Sequence, residues 1–143
     1  MNRYQKPWES YRKVAAQTAT PGHLVLMLYE GAIKFLEQSL TGFDYADPAR
    51  RIQTINNNVL RAQSIINELN CNLDMGKGGE VAENFRSLYS YFYRRLREGN
   101  LSKHREPIEE VLARLRVLRD SWAEMLRRGA QPANASGLEA VAA

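Results

Sequence analysis

Thr20-Pro21-Gly22-His23-Leu24-Val25-Leu26-Met27-Leu28-Tyr29-Glu30-Gly31-Ala32-Ile33-Lys34-Phe35-Leu36-Glu37-Gln38-Ser39-Leu40 is the stretch from which the fold is read. Thr20 suits a helix N-cap, and Pro21 takes the first helical position, where a missing N–H removes no internal bond. Stepped at about 100° per residue, Leu24, Leu28, Ala32 and Phe35 fall on one side, and Leu26, Tyr29, Ile33, Leu36 and Leu40 continue around it. With Val25 they cover roughly 200°, about twice the stripe one helix needs to meet a core. Glu30, Lys34, Glu37 and Gln38 fill the rest. Such a helix either sits among several neighbours or has apolar surface available for a partner.

The cap-then-proline device returns at Asp47-Pro48, closing a break that begins at Thr41. Further breaks are expected at Asp74-Met75-Gly76-Lys77-Gly78-Gly79, read as a flexible turn, and at Gly99-Asn100-Leu101-Ser102. In the second segment Ile52, Ile55, Val59, Ala62, Ile66, Leu69 and Leu73 share an arc of roughly 100°. The third places Val81, Ala82, Phe85, Leu88, Tyr89, Phe92, Tyr93 and Leu96 within roughly 140°, and the fourth does the same for Ile108, Val111, Leu112, Leu115, Leu118, Trp122, Met125 and Leu126. No segment alternates with a period of two, so strands are not supported. Four amphipathic helices joined by short loops predict an all-α fold, an antiparallel four-helix bundle with a short N-terminal helical cap. The domain reading is an aromatic cap segment over 1–19, the bundle over 20–128 and a disordered tail over 129–143.

Within the cap, Pro7 opens a short helix carrying Trp8, Tyr11 and Val14, which is too small to build a core and must dock on the bundle. It is read either as a permanent lid or as a releasable plug over an apolar groove. On the third helix Phe85, Leu88, Phe92 and Leu96 are expected in the core, Tyr89 and Tyr93 at its margin and Tyr91 near the polar face. Asn56, Asn57 and Asn58 are either solvated or available to hydrogen-bond an extended segment.

Composition narrows the function classes. The 143 residues are 44% hydrophobic and 25% charged, values of one globular domain. Cys71 is the single cysteine, which excludes an intramolecular disulfide and any multi-cysteine metal site. The longest apolar run, Leu24 to Tyr29, is far too short to span a membrane, and the start of the chain shows no signal-peptide pattern. A cytoplasmic protein is expected. The net charge of +4 is concentrated in residues 86–128, with eleven basic and six acidic groups. Arg94, Arg95, Arg97, Arg114, Arg116, Arg119, Arg127 and Arg128 make up most of that excess. They would suit phosphate contacts in a nucleic-acid binder, or simply form solvated helix faces. His23 and His104 fall in predicted interhelix regions outside any metal-binding helix motif, and no nucleophile–base pair can be assembled. No catalytic residue, metal or cofactor is expected.

Three blocks carry a family likeness. The first is Thr18 to Ala32, running Thr-Ala-Thr-Pro-Gly-His-Leu-Val-Leu-Met-Leu-Tyr-Glu-Gly-Ala. The second joins Leu73-Asp74, Gly78-Gly79-Glu80-Val81-Ala82-Glu83-Asn84, Leu88-Tyr89-Ser90-Tyr91, Arg94-Arg95-Leu96 and Asn100-Leu101. The third is Ile108-Glu109-Glu110-Val111 with Asp120-Ser121-Trp122. Together they resemble the flagellin-specific export chaperones, the FliS family, from about Tyr4 to Leu126. The resemblance implies a cytosolic chaperone that binds the disordered C-terminal region of flagellin. It would prevent premature polymerisation and deliver its client to the flagellar type III export gate. Trp8 and Tyr11 match the family's N-terminal aromatic segment, which can occupy the client groove, although Trp8 is larger than usual there and Pro7 stiffens the approach. On this chain the expected client contacts are Trp8, Tyr11, Leu24, Leu28, Ile55, Asn56, Val59, Tyr89 and Tyr93. The chain without its client is open to pairing as a homodimer; neither nucleic acid nor membrane insertion is expected. A self-associating structural bundle and a nucleic-acid-binding bundle are the alternatives.

Overall fold

The computed structural model describes residues 20–129. Its helices are α1 (Pro21–Thr41), α2 (Pro48–Cys71), α3 (Met75–Ser102) and α4 (Arg105–Arg127), with a 3-10 turn, Gly42–Asp44, after α1. Short oxygen side chains start three of them. Thr20 Oγ1 accepts from the His23 N–H at 3.3 Å, Asp47 Oδ2 from Arg50 at 3.1 Å and Asp74 Oδ1 from Lys77 at 2.9 Å. Each satisfies a backbone donor that lacks a partner within its own helix.

Two expected breaks lie inside α3. The Asp74 cap lets the helix begin at Met75, so Gly76 to Gly78 form its first turn rather than a free loop. The interruption is confined to Gly79, whose φ of 53° and ψ of −128° kink the helix there, a conformation open to glycine and hostile to a side chain. Gly99 to Ser102 are also helical, and the chain reverses one residue later, at Lys103 in the left-handed region. His23, expected between helices, lies in the first turn of α1, with Nδ1 2.7 Å from Thr20 Oγ1.

Each helix packs on two others, in the cyclic order α1, α2, α3, α4. Side-chain pairs show that neighbours are antiparallel. Gln63 reaches the Tyr93 carbonyl while Asn56, earlier on α2, meets Asn100, later on α3. Trp122 Nε1, near the end of α4, donates to the Gly22 carbonyl at the start of α1 at 2.7 Å. Across the diagonal, Tyr29 of α1 and Tyr89 of α3 join hydroxyls at 2.6 Å in the core.

On helix α1 the structure decides between the two readings of its wide apolar arc. Val25, Leu28, Tyr29, Ala32, Ile33, Phe35 and Leu36 are buried, Leu24, Leu26 and Leu40 half-buried, and no large apolar side chain of α1 is exposed. The wide arc is therefore covered mainly by siblings, because small residues let them come close. A Cβ on Gly22 would lie 2.8 Å from Leu126, one on Gly31 3.2 Å from Ile65. What α1 leaves open is a hollow of about 290 Å³ lined by Met27, Glu30, Gly31 and Lys34.

Candidate functional site

Large apolar side chains that do reach solvent show where the bundle could meet another chain. Among the described residues they are Ile52, Leu60, Val81, Leu101 and Val117. Three of these border the seam between α2 and α3. Ile52, Asn56, Leu60 and Ser64 follow one another at four-residue spacing and so form a row along α2. Opposite them, α3 contributes Tyr93 and, two turns later, Asn100 and Leu101. Leu60, Arg61, Gln63, Ser64, Asn67 and Tyr93 line a hollow of about 400 Å³.

The floor of this groove is polar and ordered. Gln63, 5% exposed, donates from Nε2 to the Tyr93 carbonyl at 3.1 Å. Asn100 donates from Nδ2 to Asn56 Oδ1 at 2.9 Å. Lys103 Nζ donates to Asn100 Oδ1 at 2.6 Å and to the Asn100 carbonyl. Partial burial of this ammonium lowers its pKa, since desolvation disfavours the charged form. Ile52, Leu60 and Leu101 and the half-buried Tyr93 ring supply apolar contour, and Arg61, Ser64 and Asn67 add polar edge at the hollow. Such a surface suits a segment with one apolar and one polar stripe.

Of the nine residues expected to contact a partner, Asn56 and Tyr93 lie on this groove, and Leu24 is half-buried at the start of α1. Trp8 and Tyr11 lie outside the described residues. Leu28, Ile55, Val59 and Tyr89 are core side chains, between 0% and 2% exposed, and are not accessible to a partner on the closed bundle. The physical reason is phase: a single residue step turns a helix by about 100°, so Ile55 and Val59 point inward while Asn56 and Leu60 point out. Tyr89, expected at the core margin, is drawn in by its bond to Tyr29. Burial pushes the Tyr29 hydroxyl up to about 12 and that of Tyr89 well above its ordinary value, so both stay neutral.

Leu60 was missed by the sequence reading, though a signal existed: it lies about 80° outside the apolar arc of its helix. Ile52, placed within that arc, is half-exposed because it lies at the end of the bundle where fewer neighbours reach it.

The neighbouring α3–α4 seam is closed by side-chain bonds. Glu110 accepts from Tyr91 Oη at 2.6 Å and Arg95 Nε at 2.7 Å, tying α4 to α3, and Arg114 approaches it at 3.2 Å. The Tyr91 hydrogen bond, then Arg95, holds the Glu110 carboxyl below its ordinary range. Arg116 pairs with Glu37, Arg119 with Asp120, and Arg127 and Arg128 with Glu124. Six of the eight arginines that gave the chain its basic half are thus ion-paired to carboxylates. Among the described residues no group of three His, Cys, Asp or Glu side chains could hold a metal, and no helix is long and apolar enough to cross a membrane.

An antiparallel four-helix bundle with one open, partly apolar seam has the form of a binding module for another polypeptide. The family model described as Flagellar protein FliS matches residues 3–129, and the chain belongs to that family. It is 32% identical over 133 residues to the Flagellar secretion chaperone FliS of Bacillus subtilis (strain 168), covering 93% of this chain and 96% of the relative. The protein of the same name from Salmonella typhimurium is 33% identical over 112 residues, covering 78% and 80%. Flagellar secretion chaperone FliSB of Pseudomonas aeruginosa is 30% identical over 123 residues, covering 82% and 93%.

Proposed function

We propose that this chain is a flagellar secretion chaperone whose client is flagellin. The observation that carries the reading is membership of the FliS family across nearly the whole bundle, and the relatives named as flagellar secretion chaperones support it. The chain takes up the C-terminal region of flagellin in the cytoplasm, keeps it from polymerising early and brings it to the export gate. Ordering a disordered client costs about 2–5 kcal/mol, so a long, shallow contact surface with few strong anchors suits a complex that must later release its cargo. The α2–α3 groove supplies part of that surface. Trp8 and Tyr11 act as a plug that the client displaces, and the chain without its client can pair as a homodimer. No observed feature favours a nucleic-acid-binding or purely structural role.

Calorimetric titration with a C-terminal segment of flagellin, beside flagellin lacking that segment, tests the reading. Saturable binding of the segment alone, with delayed polymerisation of full-length flagellin, is expected; a chain that ignores the segment refutes it. Replacing Trp8 and Tyr11 by Ala is expected to leave helicity intact and change client affinity. Unfolding of the bundle by both replacements would make the segment a permanent lid instead.

A further inference from the structure

The hydrogen bonds along the α2–α3 groove fix its polarity, and they do so from one end. Lys103 is an ammonium with donors and no acceptor, so the Asn100 atom it meets at 2.6 Å must be the amide oxygen. That turns Asn100 Nδ2 toward α2, where it donates to Asn56 at 2.9 Å. Asn56 therefore spends its oxygen on this bond and is left with its own NH₂. That NH₂ has no partner and is absent from the enclosed, unpartnered atoms, so it opens on the groove. The Tyr93 carbonyl can only accept, so the Gln63 atom 3.1 Å away must be the amide nitrogen. Its Oε1 is left open on the floor of the hollow. Asn56 and Gln63 are seven residues apart, about 10 Å along the helix, with exposed Leu60 between them.

From this we infer that Asn56 and Gln63 are specificity-determining residues for the flagellin segment, and that Lys103 is a positioning residue that sets the orientation of Asn56. The groove presents donor, apolar surface, then acceptor. Its occupant is an amphipathic helix that offers an acceptor over Asn56, an aliphatic side chain over Leu60 and a donor over Gln63, with the two polar side chains about seven residues apart. A segment with these two reversed would set acceptor against acceptor and leave desolvated groups unpaired, which discriminates far more strongly than a change in apolar size. This inference rests on the reading that flagellin docks here.

The test uses the full chain and the C-terminal segment of flagellin, with affinity read by calorimetry and folding by circular dichroism. Asn56→Asp keeps an oxygen toward Asn100 but turns the open donor into an acceptor. Asn57→Asp, on the exposed neighbour, makes the same charge change away from the groove floor. N56D is expected to weaken binding about ten-fold or more, and N57D less than about two-fold. Lys103→Met frees Asn100 and Asn56 to turn over together, so in that background the effect of N56D is expected to shrink to about three-fold or less. A merely structural Lys103 would leave the ratio unchanged. Equal effects of N56D and N57D, with the wild-type chain binding normally, overturn the inference alone. A wild-type chain that does not bind the segment removes the flagellin reading and the inference with it. Should N56D fail to fold, the side-chain amide NMR signal of Asn56 in the wild type decides: a shift on saturation with the segment is expected, and an unmoved signal overturns the assignment.

Discussion

Replacing Tyr29 by Phe removes one hydroxyl from the centre of the bundle and leaves the other without a partner. Tyr29 and Tyr89 are 0% and 1% exposed, and their oxygens lie 2.6 Å apart, joining the diagonal helices α1 and α3. Each single replacement, Tyr29→Phe or Tyr89→Phe, strands a buried hydroxyl and should cost about 1–3 kcal/mol. The double replacement strands nothing, so its cost should fall well below the sum of the singles, with a coupling of about 1–2 kcal/mol. Urea denaturation followed by circular dichroism reads this as a lower midpoint at unchanged slope. In thermal scans a loss of 1 kcal/mol corresponds to about 4 °C in a bundle of this size. Additive singles, with a coupling below about 0.5 kcal/mol, would refute the claim that the two hydroxyls satisfy one another. The same pair gives the alkaline limb its shape. Tyr29 is held neutral up to about 12 against an ordinary 10.0, so its contribution is fully present below pH 10 and is lost as the pH rises toward 12. Y29F should flatten that limb.

Other perturbations separate packing, backbone and surface. Gly42→Ala would bring a Cβ to 2.8 Å from Ile55 Cγ1 and 3.1 Å from the Ile55 backbone nitrogen, and should destabilise by about 1–3 kcal/mol in denaturant titration. Gly79→Ala meets open space yet should cost a similar 1–3 kcal/mol or so, because its φ of 53° is strained for a side chain; an unchanged midpoint would contradict this. Val59→Asp, in the core, should abolish cooperative unfolding, whereas Leu60→Asp, half-exposed one step away, should preserve the fold and weaken flagellin binding. Glu110 has its folded pKa depressed below the ordinary 4.5. Its stabilising contribution is therefore present above pH 4.5 and disappears as the pH falls through the folded value, and Glu110→Gln should make stability less sensitive to acid across that window.

Helix number, order and approximate length follow from the chain itself. Thr20-Pro21 and Asp47-Pro48 combine a capping oxygen with a preset backbone angle, both local effects that need no tertiary help. The glycines near 76–79 and 99 deceived the reading because their role is set by neighbours. Gly99 is helical and lies against Ile108, Pro107 and the His104 carbonyl, a close approach that depends on where α4 returns. The family blocks from Thr18 onward were also legible, since motifs record residue identity and spacing alone.

The candidate groove was only half legible. Asn56 and Tyr93 could be singled out as polar or amphipathic residues beside an apolar stripe, and Ile55 and Val59 belong to that stripe, but apolar type alone does not say whether a core neighbour or a partner covers them. Which part of a wide apolar arc remains uncovered depends on how closely the neighbouring helices approach, and on α1 small residues let them cover nearly all of it. Likewise, periodicity marks Tyr89 as an edge residue, and its hydroxyl enters the core because Tyr29, sixty positions earlier, accepts or donates there. Sequence periodicity specifies the direction of each side chain about its own helix; burial also depends on what stands opposite, which only the packed bundle decides.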